Sequence, residues 1–215
     1  MPKIKWDDIG SRKFHTGVRA GVFYPEVGPG VPWNGLVSVE PKAYNADIDF
    51  IMIEGYRHSN SNPRSETDFV VSAFTYPKEL DYASGNYDDS MGLGYSNQYL
   101  SKFGFSYQTI IGNDVEGTNL GKVIHVVYNA VASPTLISGK TIAGSSTPLV
   151  NFSWEINTTP VYFTNSNLRP TAYLKFDSTK INPQTFKKIE SILYGTTYTH
   201  PRLPTIAEIS NGFKS

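Results

Sequence analysis

The sequence predicts a mainly β protein, a β-sandwich or barrel with one flanking helix over about residues 182–194. Two observations carry this. Apolar residues alternate with polar ones in several short runs, as they do in strands with one buried face. Tyrosine (14) and phenylalanine (12) are abundant, and aromatic side chains suit pleated, half-buried surfaces. A third, complementary observation is that one stretch alone has clear helical spacing.

From residue 1 to 35 the pattern is irregular. Gly10, Gly17, Gly21, Gly28, Gly30 and Gly35 are interspersed with Pro25, Pro29 and Pro32, a density of breakers that argues against a long regular element. Yet Phe14, Val18, Val22, Phe23, Tyr24, Val31 and Trp33 are too apolar for a solvated loop. The expectation is an extended N-terminal arm laid across another surface, on its own domain or on a neighbouring copy. Strands are expected over 36–40, 48–53 and 69–75. Residues 76–100, rich in Gly, Asp, Tyr and Ser, read as a long loop or small insertion, and loops of that length usually contact something.

Phe103, Phe105, Tyr107 and Ile111 share one parity and predict the next strand. Over 122–131 both parities are apolar, which predicts a strand covered on both faces. Val150, Phe152, Trp154 and Ile156 alternate with polar residues, as do Ala172, Leu174 and Phe176. The helix follows: Asn182 as N-cap, Pro183 at the first helical position, and Phe186, Ile189, Ile192 and Leu193 on one face. Gly195 supplies the stop. Residues 196–215 read as a tail, extended and then briefly helical. The whole is expected to be one domain, with arm (1–35), β-rich core (36–195) and tail (196–215).

Composition narrows function. Lysine plus arginine (19) balances aspartate plus glutamate (19), so no basic footprint for nucleic-acid binding is present. A neutral surface also opposes self-association only weakly. Without cysteine there is no disulfide scaffold, thiol catalysis or cysteine-ligated zinc. No apolar run reaches the roughly 18–20 residues of a membrane span, and the first residues lack a signal peptide's apolar core. A cytosolic product without membrane partners is expected.

Motifs for chemistry are sparse. The glycines at 28 and 30, and at 92 and 94, lack the lysine and following helix of a phosphate cradle and read as turns. Glu79, Asp81, Asp88 and Asp89 do not have calcium-loop spacing. His125 could pair with Asp114 or Glu116 for acid–base work, but the plainer reading is a strand histidine with a satisfied ring. The expectation is no catalysis, no cofactor and no metal.

Several blocks together resemble a known family. They are GVRAGVFYP at 17–25, GVPWNGL at 30–36, FTYP at 74–77, FGFSY at 103–107 and GNDVEG at 112–117. HVVYNA at 125–130, SWE at 153–155 with TTP at 158–160, LYGT at 193–196 and PRLPT at 201–205 complete the set. The chain resembles the major tail, or tail-tube, proteins of long-tailed bacteriophages over nearly its whole length. It departs from the pattern at Arg19, where an acidic residue is usual, and in a more polar loop at 59–64. The resemblance implies a β-sandwich with a flanking helix, made in the bacterial cytoplasm and built into the virion tail. There it would form hexameric rings, stacked around a lumen that passes DNA without sequence-specific contact, with other tail proteins as further partners. On this reading the assembly contacts are expected at Phe23, Tyr24, Trp33 and Leu36 of the arm, and at Tyr82, Tyr87, Tyr95 and Tyr99 of the loop.

Overall fold

The structure, a computed structural model, describes residues 4, 6–43, 50–54, 56–60, 67–133, 150–162 and 169–213. It is mainly β. The strands are β1 (Phe14–Pro25), β2 (Val31–Trp33), β3 (Leu36–Ala43), β4 (Phe50–Ile53), β5 (Tyr56–Asn60) and β6 (Thr67–Ala73). After a short helix α1 (Lys78–Ala83) come β7 (Tyr87–Asp88), β8 (Gly94–Tyr95), β9 (Phe103–Asn113), β10 (Gly117–Ala132), β11 (Phe152–Thr158) and β12 (Tyr173–Asp177). Helices α2 (Pro183–Tyr194) and α3 (Ile206–Ser210) close the chain. Among the described residues, no helix is long and apolar enough to cross a membrane.

One antiparallel sheet organises the molecule, in the order β2-β1-β9-β10-β11-β6-β3, with β12 also paired to β10. The long β10 serves both β12, through Val123–Val127, and β11, through Ala130–Ala132. Between these partners its register slips, and Asn129 takes a positive φ of 47°. A bulge of this kind bends a strand, and here it turns the last residues of β10 toward the β11–β6–β3 half. The sheet thereby curls until β3 returns against β1. Contact there is so close that a side chain at Gly21 would meet Leu36 and lie 2.7 Å from the Trp33 carbonyl.

Each face of the sheet carries its own core. Inside the curl, Phe23, Trp33, Phe69, Phe105 and Trp154 pack with Val71, Val127 and Ile156. On the outer face, Val22, Tyr24, Ile124, Val126 and Tyr128 meet Phe186, Ile189 and Leu193 of α2. Coverage on both faces explains the apolar parities of β10, where Val123 to Tyr128 are all buried. The helix follows its sequence signals: the Asn182 side chain accepts from Gln184 N at 2.9 Å, Pro183 opens the first turn, and Gly195 ends it at φ 76°. Replacing Asn182 by alanine orphans that N–H. A loss of about 1 kcal/mol is expected, measurable as a lower urea midpoint with unchanged slope. The tail crosses the outer face, held by Gly30 N to the Pro201 carbonyl (2.8 Å) and by the Tyr128 hydroxyl to the Pro204 carbonyl (2.9 Å).

Two expectations need correction. The segment 1–35 is not an arm over residues 14–33: β1 and β2 are integral strands, and β1 pairs with β9 along most of its length. The glycines did not break the strand because it absorbs them as irregularities. Register shifts fall between Thr16 and Val18 and between Arg19 and Val22, with positive φ at Gly17 (66°) and Ala20 (51°), as at β-bulges. Residues 76–100 are likewise not a bare loop, since they hold α1, with Leu80 and Ala83 in the inner core, and the β7–β8 ribbon. The expected strand at 48–53 is seen as β4 from Phe50, and residues 48–49 lie outside the described residues. Of the polar loop at 59–64, Ser59 and Asn60 belong to β5 and residues 61–64 lie outside the described residues.

Candidate functional site

The eight residues singled out for assembly divide into two groups. Phe23, Tyr24 and Trp33 are buried: Phe23 is 0% and Trp33 2% exposed. Phe23 and Trp33 meet edge to face at 6.2 Å, while the Tyr24 hydroxyl donates to the Leu193 carbonyl at 2.8 Å and lies 3.0 Å from the Ser106 hydroxyl. Leu36 packs on the rim of the inner core. These four hold the subunit together, and the three buried ones cannot also form an outer contact surface.

The other four remain on the surface. Tyr82, Tyr87 and Tyr95 line up at centroid spacings of 5.8 and 6.3 Å, and Tyr99 is 97% exposed. Met91 and Leu93 are exposed beside them. The ribbon is ordered by Asp89, whose carboxylate accepts from Met91 N at 2.8 Å and Leu93 N at 2.9 Å. That accounts for one of the acidic residues as a turn former. Asp81 is half-buried, and desolvation raises its pKa. Among the described residues, no three metal-ligating side chains converge.

Sequence reasoning missed a second feature, a cleft of about 680 Å³ where the inner face opens beyond the aromatic core. Its floor is a ladder of parallel rings. Tyr107 stacks on His125 at 4.4 Å and 4°, and Tyr173 lies on the far side at 5.9 Å and 11°. Cross-strand register builds it: His125 stands opposite Tyr107 on β9, while Tyr173 on β12 stands opposite Val127, two residues further along β10, and reaches His125 diagonally. Val39 and Pro41 of β3 form the opposite wall, and His15, Lys175 and Lys180 stand around it. The sequence signal was the inward parity of Tyr107 and His125, but nothing local tied Tyr173 to them.

His125 is fully engaged: Nε2 lies 2.8 Å from the Thr109 hydroxyl and Nδ1 2.6 Å from the Tyr173 hydroxyl. A neutral imidazole donates through one nitrogen and accepts through the other. Burial, aided by the nearby Lys175 and His15, lowers its pKa to about 4, so the ring is neutral at pH 7. Burial also pushes the Tyr107 and Tyr173 phenols up. Hydroxyls, not Asp114 or Glu116, are its hydrogen-bond partners, and Asp114 instead accepts from Gly10 N at 2.9 Å. The cleft thus offers neutral hydrogen-bonding groups and an aromatic floor, with ammonium groups of Lys175 and Lys180 around it. The sequence matches no family model and no curated protein.

Proposed function

We propose that this chain is a virion structural protein of the tail-tube class, whose copies close into hexameric rings and stack around a DNA-conducting lumen. The observation that carries the reading is where the resembling blocks fall in the fold. Residues 17–25 lie in β1, 103–107 in β9, 125–130 in β10 and 153–155 in β11, while 193–196 end α2 and 201–205 form the tail strap. The blocks therefore make up one framework, a curled antiparallel sheet with a helix on its outer face; its mainly β character and flanking helix are compatible with the β-sandwich and helix that the resemblance implies. Exposed Tyr82, Tyr87, Tyr95 and Tyr99 remain available for contact between copies. A formal charge of zero leaves little long-range repulsion between copies. Assembly needs no chemistry, cofactor or metal on this reading, and its place is the virion.

Negative-stain imaging of the purified chain over a range of concentrations tests the proposal. Hexameric rings or tubes with a central hole are the expected result. A single ring's worth of copies per particle, instead of many, would move the chain to a tail-tip or head–tail joint. The aromatic ribbon favours one further reading, a glycan-binding module with Tyr95 and Tyr99 as stacking platforms. A chain that stays monomeric and binds host cell-wall sugars would establish that alternative.

A further inference from the structure

We propose that the pocket beside the second bulge of β1 binds a carboxylate with a compact apolar body, presented by a small organic acid or by an acidic side chain of a second copy. The inference goes beyond the reading above and holds whether or not the chain builds a tube.

The pocket has a volume of about 420 Å³ and opens between residues 18–22 of β1, residues 32–36 around the β2–β3 turn, and Tyr194 at the end of α2. That lies within the roughly 300–1,000 Å³ of small-molecule sites, which combine apolar walls with a few convergent polar groups. Val18, Leu36 and Pro201 are part of the walls. Among the described residues of the lining, Arg19 alone is charged. The bulge sets its position: the register against β9 shifts between Arg19 and Val22, and Ala20 next to it takes a φ of 51°. Bulges of this kind re-aim a side chain beside a site.

Three donors line the pocket without acceptors of their own. The Arg19 guanidinium makes no hydrogen bond or ion pair with any described residue. Asn34 uses its backbone carbonyl, which accepts from the Thr75 hydroxyl at 2.8 Å, and its side-chain amide has no partner among the described residues. The Tyr194 hydroxyl accepts from Gln108 Nε2 at 2.8 Å, which leaves its own proton to donate. Burial pushes that phenol up to about 12, so the proton is held at pH 7. A carboxylate answers all three, because it accepts through two oxygens and the guanidinium fork matches it in a bidentate pair. One guanidinium balances one negative charge. A phosphate would bring up to about two into the same apolar walls, and the surplus would be desolvated without a partner. The walls therefore select a monoanion with an apolar body.

Sodium benzoate is the probe, titrated by calorimetry at constant ionic strength into the full-length chain below its assembly concentration. Saturable binding is expected, with benzamide, its neutral counterpart, about tenfold weaker or worse and inorganic phosphate unable to compete. Arg19 is exposed, so Arg19→Met should keep the fold, checked by its urea midpoint. It should lose about ten- to a hundredfold in affinity, as for one charge-assisted contact. Arg19→Lys, which keeps the charge and not the fork, should fall between the two. No binding of benzoate, equal binding of benzamide or phosphate, or an Arg19→Met variant that binds as the unaltered chain does, each overturns the site. Sedimentation then identifies the source. If excess benzoate and Arg19→Met both weaken association, the carboxylate is a neighbouring copy's side chain; if association ignores both while benzoate binds, it is a free acid. Tubes from a chain that ignores benzoate would sink the site and leave the tube reading standing. Benzoate binding by a chain that never forms rings would do the reverse.

Discussion

A chain lacking residues 1–35 should fail to fold, rather than fold and fail to assemble. The deletion removes β1 and β2, and with them Phe23 and Trp33 from the inner core and Val22 and Tyr24 from the outer one. Truncating one buried aromatic typically costs about 3–5 kcal/mol, and a whole domain holds only about 5–15 kcal/mol. Losing four core residues at once exceeds what the remainder can supply. The deletion also strips β9 of its partner from Phe103 to Gly112, exposing a long edge that invites aggregation. Loss of the cooperative urea transition and of near-ultraviolet circular dichroism is the expected result. The single substitution Phe23→Ala separates the roles more finely. It should lower stability by about 3–5 kcal/mol, while Tyr95→Ala on the exposed ribbon should stay within about 0.5 kcal/mol. A truncated chain with a native-like transition would show that β1 and β2 are dispensable, and would restore the detachable arm.

That contrast also marks what could be read from sequence. The run around Trp154 was legible because each inward residue of β11 alternates with a solvent-facing one. The helix at Asn182 was legible because its cap, first-turn proline and apolar face lie within one short window. β1 was misread for a physical reason: Gly17 and Gly21 look like breakers locally. In the fold one sits at a bulge with positive φ, and the other makes room for Leu36 from a strand that is neighbouring only in three dimensions. Helix α1 escaped notice because it has six residues and no side-chain N-cap. The ladder at His125 was illegible as a site, since its members come from β9, β10 and β12 and meet only through register. Its satisfied ring, by contrast, matches the plainer expectation for a strand histidine.

That same ring should make stability depend on pH in a defined window. In the unfolded chain His125 titrates near 6.5, and in the folded protein burial lowers the value to about 4. Between these limits the unfolded state binds the extra proton, so stability rises with pH there. The contribution is fully present above about 6.5, is lost as pH falls toward 4, and does not change further below that. A shift of this size corresponds to about 3 kcal/mol at most. Glu208 acts in the same direction but lower down, because the hydrogen-bonded Arg202 guanidinium holds its carboxyl at about 2, against 4.5 ordinarily. Its effect is small, since that pair is largely solvated. The two windows barely overlap, so a substitution can tell them apart. In His125→Gln the urea-derived stability should be flat between pH 6.5 and 4.5, where the unaltered chain falls steeply, and below that the two curves should run parallel. An unchanged slope in the variant would mean that the ring gains its proton at the same pH in the folded and unfolded chains, so that it is cationic in the folded state below about 6.5. The Thr109 and Tyr173 hydroxyls would then both have to accept from it, and the neutral floor described for the cleft would be a cationic one.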